Sequence, residues 1–299
     1  MDDDLTPLAT LLGRPEPPAE AVARSRRRLQ ARMRGRAPRR IGWFTQGLGL
    51  AAVAAAAAVA VLATGGTTPD GTPAQGREVL LMAAVSAENA PQDSGTYWHV
   101  RSDWQDPEIP PMDSWTARDG RRWTRGEPGD PPDAVVPAPN PGPDPDPDPF
   151  MLKGAKVGFE DLEGLPEDPE ALNAWIAGLR GREEDMLLSE QRGDPILPLI
   201  ALISELPTPP KARSAAFRSL AAVPGVRDAG AVEGGRKLLI PNPDGGEEIT
   251  LVVDPETARV TRTNYLLGND GSVSGSPYEL LLLTTDWTDG LPQAGGDGS

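Results

Sequence analysis

Few side chains of this sequence could carry out acid–base or nucleophilic chemistry. His99 is the single histidine, and the 299 residues include no cysteine. A histidine that acts as a general base needs a nucleophile and a third group that orients it, and a thiol nucleophile is excluded. We therefore interpret His99, between Trp98 and Val100, as a hydrogen-bonded or exposed strand residue. We predict no catalytic residue and no enzymatic activity.

Metal and cofactor sites have equally little support. With one His and no Cys, metal sites built from carboxylates alone remain. Asp144, Asp146 and Asp148 alternate in the segment PDPDPDP, but alternate residues of an extended chain cannot wrap an ion, and no EF-hand spacing follows. No Gly-rich phosphate loop follows a predicted strand. We predict no metal and no cofactor.

Four tryptophans could bind an apolar ligand or fill a core, and the sequence leaves both interpretations open. Trp98, Trp104, Trp115 and Trp123 fall within 26 residues on predicted strands. Trp98 and Trp104 share one face by parity. The dipeptide Asp119-Gly120 predicts a hairpin in which a two-residue turn would place Trp115 and Trp123 on opposite faces. A one-residue bulge would bring them to the same face.

The charge of the chain is segregated about one apolar segment. Residues 1–40 hold ten Arg and five acidic residues, which gives a formal charge of +5. Because the whole chain has a net charge of −15, residues 41–299 carry −20. Nine of these arginines directly precede the apolar segment: Arg24, Arg26, Arg27, Arg28, Arg32, Arg34, Arg36, Arg39 and Arg40. Because Arg crosses a bilayer at high cost, the pattern predicts a cytoplasmic tail over 1–40 and an extracellular acidic domain. The acidic charge also predicts no binding to nucleic acid.

The apolar segment covers residues 41–63 and holds no charged side chain. As a helix it would reach about 34 Å, against a hydrocarbon core of about 30 Å. Trp43 and Phe44 lie at one end, where aromatic side chains anchor at the headgroup level. We predict one transmembrane helix from Ile41 to Ala63 and a single-pass protein of the cell membrane. The alternative is a cleaved signal peptide, because Val61-Leu62-Ala63 fits the small-x-small cleavage pattern.

Residues 74–288, after a linker at 64–73, have the periodicities of an α+β domain. Helices are predicted at 74–88, from Asp168-Pro169 to 181, from Asp194-Pro195 to 206, and at 211–222. Strands are predicted at 96–104, 114–118, 121–125, 236–240, 248–253, 259–267 and 278–285, the last four as an antiparallel meander. Ten Pro within 126–149 predict a disordered inserted loop without regular structure, and 289–299 are predicted to be a disordered tail.

Three segments carry a resemblance: PEDPEALNAWI (166–176), LISELPTPPKARSAAFRSLAAVPGV (202–226) and LVVDPETARV (251–260). Over residues 74–287 the chain resembles a family of actinobacterial single-pass membrane proteins. The outer domain is similar in element order to the lipoprotein-carrier (LolA/RseB-like) group, most closely around Asp254–Thr257. The resemblance implies a curved antiparallel sheet around helices, with a concave side that holds a lipid or lipidated peptide. It supplies no catalytic residue, and this chain departs from the group in its membrane anchor and its Pro-rich insertion.

These observations define the expected fold class and function. The fold class is α+β, with a single N-terminal transmembrane helix followed by an antiparallel curved β-sheet domain packed against helices. The expected function is a membrane-anchored extracytoplasmic binding or sensing protein that captures a lipid, a lipidated peptide or an envelope partner. The alternative is an anti-sigma-like transmembrane regulator with a sigma factor as partner. Its weakness is a forty-residue tail, short for a sigma-binding domain and without a His/Cys zinc pattern.

Overall fold

The structure is a computed structural model that describes residues 72–106, 109–127, 131, 134–138, 146–267, 273–275 and 279–291. The helices are α1 (Pro73–Asn89), α2 (Phe159–Glu163), α3 (Pro169–Gly178), α4 (Leu188–Gln191), α5 (Ile196–Ser204) and α6 (Pro210–Ala221). The strands are β1 (Tyr97–Asp103), β2 (Met112–Ala117), β3 (Arg122–Arg125), β4 (Val136–Pro137), β5 (Phe150–Leu152), β6 (Ala155–Val157), β7 (Arg227–Val232), β8 (Gly235–Ile240), β9 (Ile249–Asp254), β10 (Arg259–Thr263), β11 (Tyr265–Leu267), β12 (Val273–Gly275) and β13 (Leu281–Thr288).

Nine strands form one antiparallel sheet in the order β4-β3-β2-β1-β13-β10-β9-β8-β7, while β5-β6 and β11-β12 form two small sheets. The last strand, β13, pairs with β1 through Val100 and Thr285 and with β10 through Arg262 and Leu282. It therefore joins strands β1–β4 to strands β7–β10. The predicted antiparallel meander is confirmed, because β8, β9, β10 and β13 are neighbours in this order.

The predicted helices are confirmed, and local caps explain where they begin. Thr72 and Gln75 form a reciprocal capping box at the start of α1. The Asp168 carboxylate accepts hydrogen bonds from the first-turn N–H groups of α3, and Pro169 occupies the first helical position. Asp194 accepts from Ile196 N at the start of α5, and all nine residues of α5 are buried, as its apolar sequence predicts.

The hydrophobic core lies between one face of the large sheet and helices α1, α5 and α6. Trp98, Leu251 and Leu281 project from the sheet into this core, and Leu202 and Phe217 meet them from α5 and α6. All five are at most 1% exposed. Buried apolar side chains therefore pack between the sheet and the helices.

The hairpin of β2 and β3 has the register that places both of its tryptophans on one face. Trp115 pairs directly with Trp123. Ala117 N donates to Arg121 O at 2.8 Å, so these two residues close a three-residue loop of Arg118, Asp119 and Gly120. Gly120 has φ of 83°, a left-handed conformation that closes such three-residue loops. The strict two-residue turn is excluded, and the one-residue shift left open by the sequence is present.

The Pro-rich segment contributes a short strand that the sequence did not predict. Val136–Pro137 pairs with β3, and Ala138 N donates to Arg122 O at 2.9 Å. A proline is tolerated there because β4 is the sheet edge, where one side of the strand needs no N–H donor. The prediction of no regular structure across 126–149 is wrong at these two residues.

Two other boundaries differ from their predictions. The predicted strand 259–267 divides at Asn264, whose side chain accepts from Thr250 N and donates to Glu248 O, so that β11 leaves the large sheet and pairs with β12. Asp289, predicted to begin a disordered tail, accepts hydrogen bonds from Thr96 N and Oγ1.

The predicted fold class requires a correction. Its α+β part, a large antiparallel sheet with helices, is present, but no helix of the described residues is long and apolar enough to cross a membrane. The physical reason is length and charge: α5 is apolar but has nine residues, and the 17 residues of α1 include Arg77 and Glu78. The predicted span, Ile41 to Ala63, lies outside the described residues.

Candidate functional site

The four tryptophans predicted as an apolar groove are divided between the two faces of the sheet. Trp98 is buried in the core, where its Nε1 donates to Glu205 O at 2.7 Å, and Trp104 packs against the same core. Trp115 and Trp123 lie on the opposite face, where Trp123 meets the Tyr97 ring edge-on at 5.5 Å. The four side chains therefore do not line one groove.

His99 lies on the same face as Trp115 and is held by two carboxylates. Its Nε2 is 2.8 Å from Asp113 Oδ1 and its Nδ1 is 3.1 Å from Asp286 Oδ1. The imidazole stacks on the Trp115 ring, with centroids 4.9 Å apart and planes 11° apart. Asp113 also accepts from Arg101 and Arg125, with closest distances of 3.1 and 2.8 Å. This network of β1, β2, β3 and β13 is joined entirely by side chains.

The electrostatics of this network favour a charged histidine. Burial lowers the pKa of His99, but hydrogen bonds to Asp113 and Asp286 outweigh it and raise that pKa above the ordinary value. Burial raises the pKa of Asp113, and the bonds from His99 and Arg125 outweigh it, so that the pKa of Asp113 is lowered. Because both ring nitrogens face carboxylate oxygens, the imidazolium form donates twice. Its position is that of a structural cation, with no lone pair free to act as a base.

A groove beside α1 is lined mainly by apolar side chains, unlike the polar network around His99. We call it the α1 groove; it is lined by Ala74, Arg77, Glu78, Leu81, Met82, Val85, Ser86, Pro255 and Glu256 and has a volume of about 570 Å³. One face of α1 packs on the core, while Leu81, Met82 and Val85 are 37%, 51% and 54% exposed on the other. The groove floor is apolar and its rim carries both signs of charge.

The second wall of the groove is the turn between β9 and β10. Asp254 accepts hydrogen bonds from Glu256 N and Thr257 Oγ1, which fixes the turn. Ser86 Oγ donates to Pro255 O at 2.6 Å, which ties the turn to α1. The groove is thus built by rigid elements that are distant in sequence.

No family model, no curated protein and no solved structure matches this chain. The resemblance to the lipoprotein-carrier group therefore stays a prediction. In the described ranges, no group of three or more His, Asp or Glu side chains is arranged to hold a metal ion.

Several predicted positions lie outside the described residues. They are the anchor residues Ile41, Trp43, Phe44 and Ala63 and the nine arginines from Arg24 to Arg40. The anti-sigma alternative depends on the tail at 1–40, and it stays a prediction for the same reason.

Sequence analysis missed Leu81, Met82 and Val85 as site residues. A helix that packs on a core with one face normally has polar residues on its other face. The run VLLMAAV from Val79 to Val85 has none, and this was the signal in the sequence. Here the apolar residues surround most of the helix, so some of them had to remain exposed or meet a partner.

Proposed function

We propose that this protein is a binding protein that captures an acyl chain, from a lipid or a lipidated peptide, in the α1 groove. The observation that carries the proposal is the continuous exposure of Leu81, Met82 and Val85 in a groove of about 570 Å³. This volume is within the range of small-molecule sites, and covering three half-exposed apolar side chains would contribute roughly 3 kcal/mol. Met82 adds an unbranched side chain that adapts to the shape of a ligand.

The walls of the groove favour an acyl chain over an extended peptide. One wall is a helix and the other is a turn whose carboxylate and carbonyl groups are already hydrogen bonded. A peptide that binds by strand addition needs a free sheet edge, and neither wall is one. An acyl chain needs no hydrogen bonds. Arg77, Glu78 and Glu256 line the groove as well and could contact the polar end of such a ligand.

We propose the exterior of the domain as the site of the acyl chain because tightly buried side chains lie between the sheet and the helices. Trp98, Leu251, Leu281 and Phe217 occupy the space between the sheet and the helices. A lipid between these layers would have to displace core side chains at a cost of several kcal/mol.

A location outside the cytoplasm belongs to the same proposal. Its support is the charge segregation of the chain, +5 over residues 1–40 and −20 over the remainder. Labelling of single-cysteine variants beyond residue 75 with a membrane-impermeant reagent in intact cells tests it. Labelling confined to lysed cells would contradict this location.

The binding proposal is tested by photo-crosslinking of the purified full-length chain with a fatty acid that carries a terminal diazirine. We expect the crosslinked peptide to contain residues 78–89. The double variant Met82→Gln, Val85→Gln should lower the yield about ten-fold, because it makes the groove floor polar.

Leu188→Gln provides the matched control, since Leu188 is a 63% exposed apolar residue on α4, away from the groove lining. This variant should crosslink like the wild type. Equal yields in all three proteins, or crosslinks distributed over other surfaces, would refute the proposal.

A further inference from the structure

A second cavity lies at the beginning of α6, and its walls carry three arginines and two carboxylates. We call it the arginine cavity; its volume is about 50 Å³, and Trp98, Arg118, Thr208, Arg213, Arg259 and Trp287 are among its lining residues. At roughly 10–15 Å³ for each water-sized group, it has room for about four such groups. This is the scale of one carboxylate or phosphate group and far below that of an acyl chain.

Two of the lining residues, Thr208 and Arg213, each have a buried polar atom without a hydrogen-bond partner in the described ranges. Thr208 Oγ1 and Arg213 Nε are shielded from solvent and have no hydrogen-bond partner among the described residues. In the described part of the chain, the Arg213 side chain donates one hydrogen bond, from Nη2 to Thr208 O at 3.0 Å. A buried donor without an acceptor destabilises a protein, most strongly when the donor is charged. Both atoms could donate to one oxygen-bearing group in the cavity.

The charges that line the cavity do not balance. Arg118 pairs with Glu163 and lies over the Trp287 ring, with its guanidinium carbon 4.8 Å from the centroid. Arg259 pairs with Asp93 at 2.7 Å. Arg213 has no carboxylate within ion-pair distance in the described part of the chain, so one positive charge among the lining residues is left over.

The environment of Arg213 penalises its charge. Burial, and next the charge of Arg259, lower the pKa of Arg213 to about 10, while Asp93 acts in the opposite sense. The N-terminus of the twelve-residue helix α6 adds to the positive potential, because Thr208, Pro209 and Pro210 line the cavity and no side chain caps the first turn. A bound anion would offset both the burial of the Arg213 charge and the positive potential around it.

We propose that the arginine cavity binds one oxyanion group, a phosphate or a carboxylate, through Arg213 and the Thr208 hydroxyl. The anion supplies acceptors to both unpaired donors and the missing negative charge. Trp98 and Trp287 form part of the wall, and the low local dielectric beside their apolar rings would strengthen these contacts. This inference is independent of the acyl chain in the α1 groove.

Titration calorimetry and thermal unfolding of the full-length chain with inorganic phosphate or acetate test the proposal, with KCl at matched ionic strength as reference. We expect saturable binding and a rise in Tm beyond that in KCl. Arg213→Met retains the aliphatic stem and should abolish both effects. Thr208→Val is isosteric and should weaken the affinity about ten-fold, because one hydrogen bond to an anion is lost.

Arg218→Met is the matched control, because Arg218 is an exposed arginine of the same helix and pairs with Glu88. It should bind the anion as the wild type does. If Arg213→Met does not fold, Thr208→Val alone decides the outcome. A rise in the wild-type Tm equal to that in KCl, or an unchanged anion affinity in Thr208→Val, would contradict binding of a free anion. A vesicle experiment then decides whether the cavity binds a lipid phosphate.

Vesicles distinguish a lipid headgroup from a free anion as the source of the group. Binding to phosphatidate-containing vesicles but not to pure phosphatidylcholine vesicles, with loss in Thr208→Val, would assign the cavity to a lipid phosphate. Binding of inorganic phosphate or acetate alone would assign it to a free anion. If none of these probes binds in a Thr208-dependent manner, the proposal is wrong.

Discussion

Asp113 is the residue on which the polar face of the sheet depends. Its side chain is 2% exposed and accepts hydrogen bonds from His99, Arg101 and Arg125. A buried carboxylate is tolerated when several charged donors surround it, and here the two strands β1 and β3 supply those donors. His99 completes the network by linking Asp113 to Asp286 on β13.

The first prediction concerns the protonation of His99. Since the raised pKa reflects its two carboxylate partners, we expect the imidazole to titrate above 6.5 in the folded protein. The stability that this charge contributes is complete below pH 6.5 and is lost as the pH rises through the folded-state pKa. Because His99 is the single histidine, one selectively labelled imidazole NMR signal reports the value directly.

Two variants check the assignment of this shift. Asp286→Asn removes one carboxylate and should lower the pKa of His99. Asp119→Asn, at the exposed hairpin loop, should leave it unchanged. A wild-type titration at or below 6.5 would show that burial of the ring outweighs its hydrogen bonds.

At the scale of elements, the β2–β3 hairpin determines how the outer face is built. A one-residue difference in its loop moves Trp123 from one face of the sheet to the other. The left-handed conformation of Gly120 enables the three-residue loop, and an added Cβ at this position would overlap the Asp146 carbonyl. Gly120 is therefore required for two independent reasons: its left-handed backbone conformation and the lack of space for a Cβ atom.

We predict that Gly120→Ala lowers the free energy of unfolding by about 3 kcal/mol, from left-handed strain and from the steric overlap. Gly193→Ala is the matched control, because Gly193 has the same φ of 83° and nothing within 4 Å of an added Cβ. This control should lose about 1 kcal/mol from strain alone. Urea denaturation measures both values, and equal losses would contradict the steric contribution.

At the scale of the whole molecule, the last strand holds the sheet together. β13 lies between β1 and β10 and contributes Leu281, Leu283 and Trp287 to the core. Without it, β1 and β10 would each present a free edge, and the two four-stranded halves would have no pairing between them. The fold therefore depends on contacts between its first and last strands.

Truncation before residue 279 should consequently abolish cooperative unfolding, since each missing core side chain alone costs about 2–5 kcal/mol. Truncation after residue 291 keeps β13 and should retain a cooperative transition. Circular dichroism during heating distinguishes the two. A sharp transition in the shorter protein would refute the role of β13 as the connecting strand.

Much of the fold follows from local signals in the sequence. The apolar pattern at 79–83, the N-cap Asp168 and the apolar run at 196–203 predict the helices to within a few residues. The short strand β4 and the departure of β11 could not be predicted in this way. Both depend on partners far along the chain, and one of them contains a proline.

The sequence by itself determined where helices begin, which chemistry is absent for lack of cysteine, and how charge is distributed, because these properties depend on residue types and near neighbours. The tertiary structure decided which face of α1 remains uncovered and on which side of the sheet each tryptophan lies. It also decided that Arg118, Arg213 and Arg259 meet around one cavity. These outcomes depend on packing between segments far apart in sequence, where a register change of one residue exchanges buried and exposed faces.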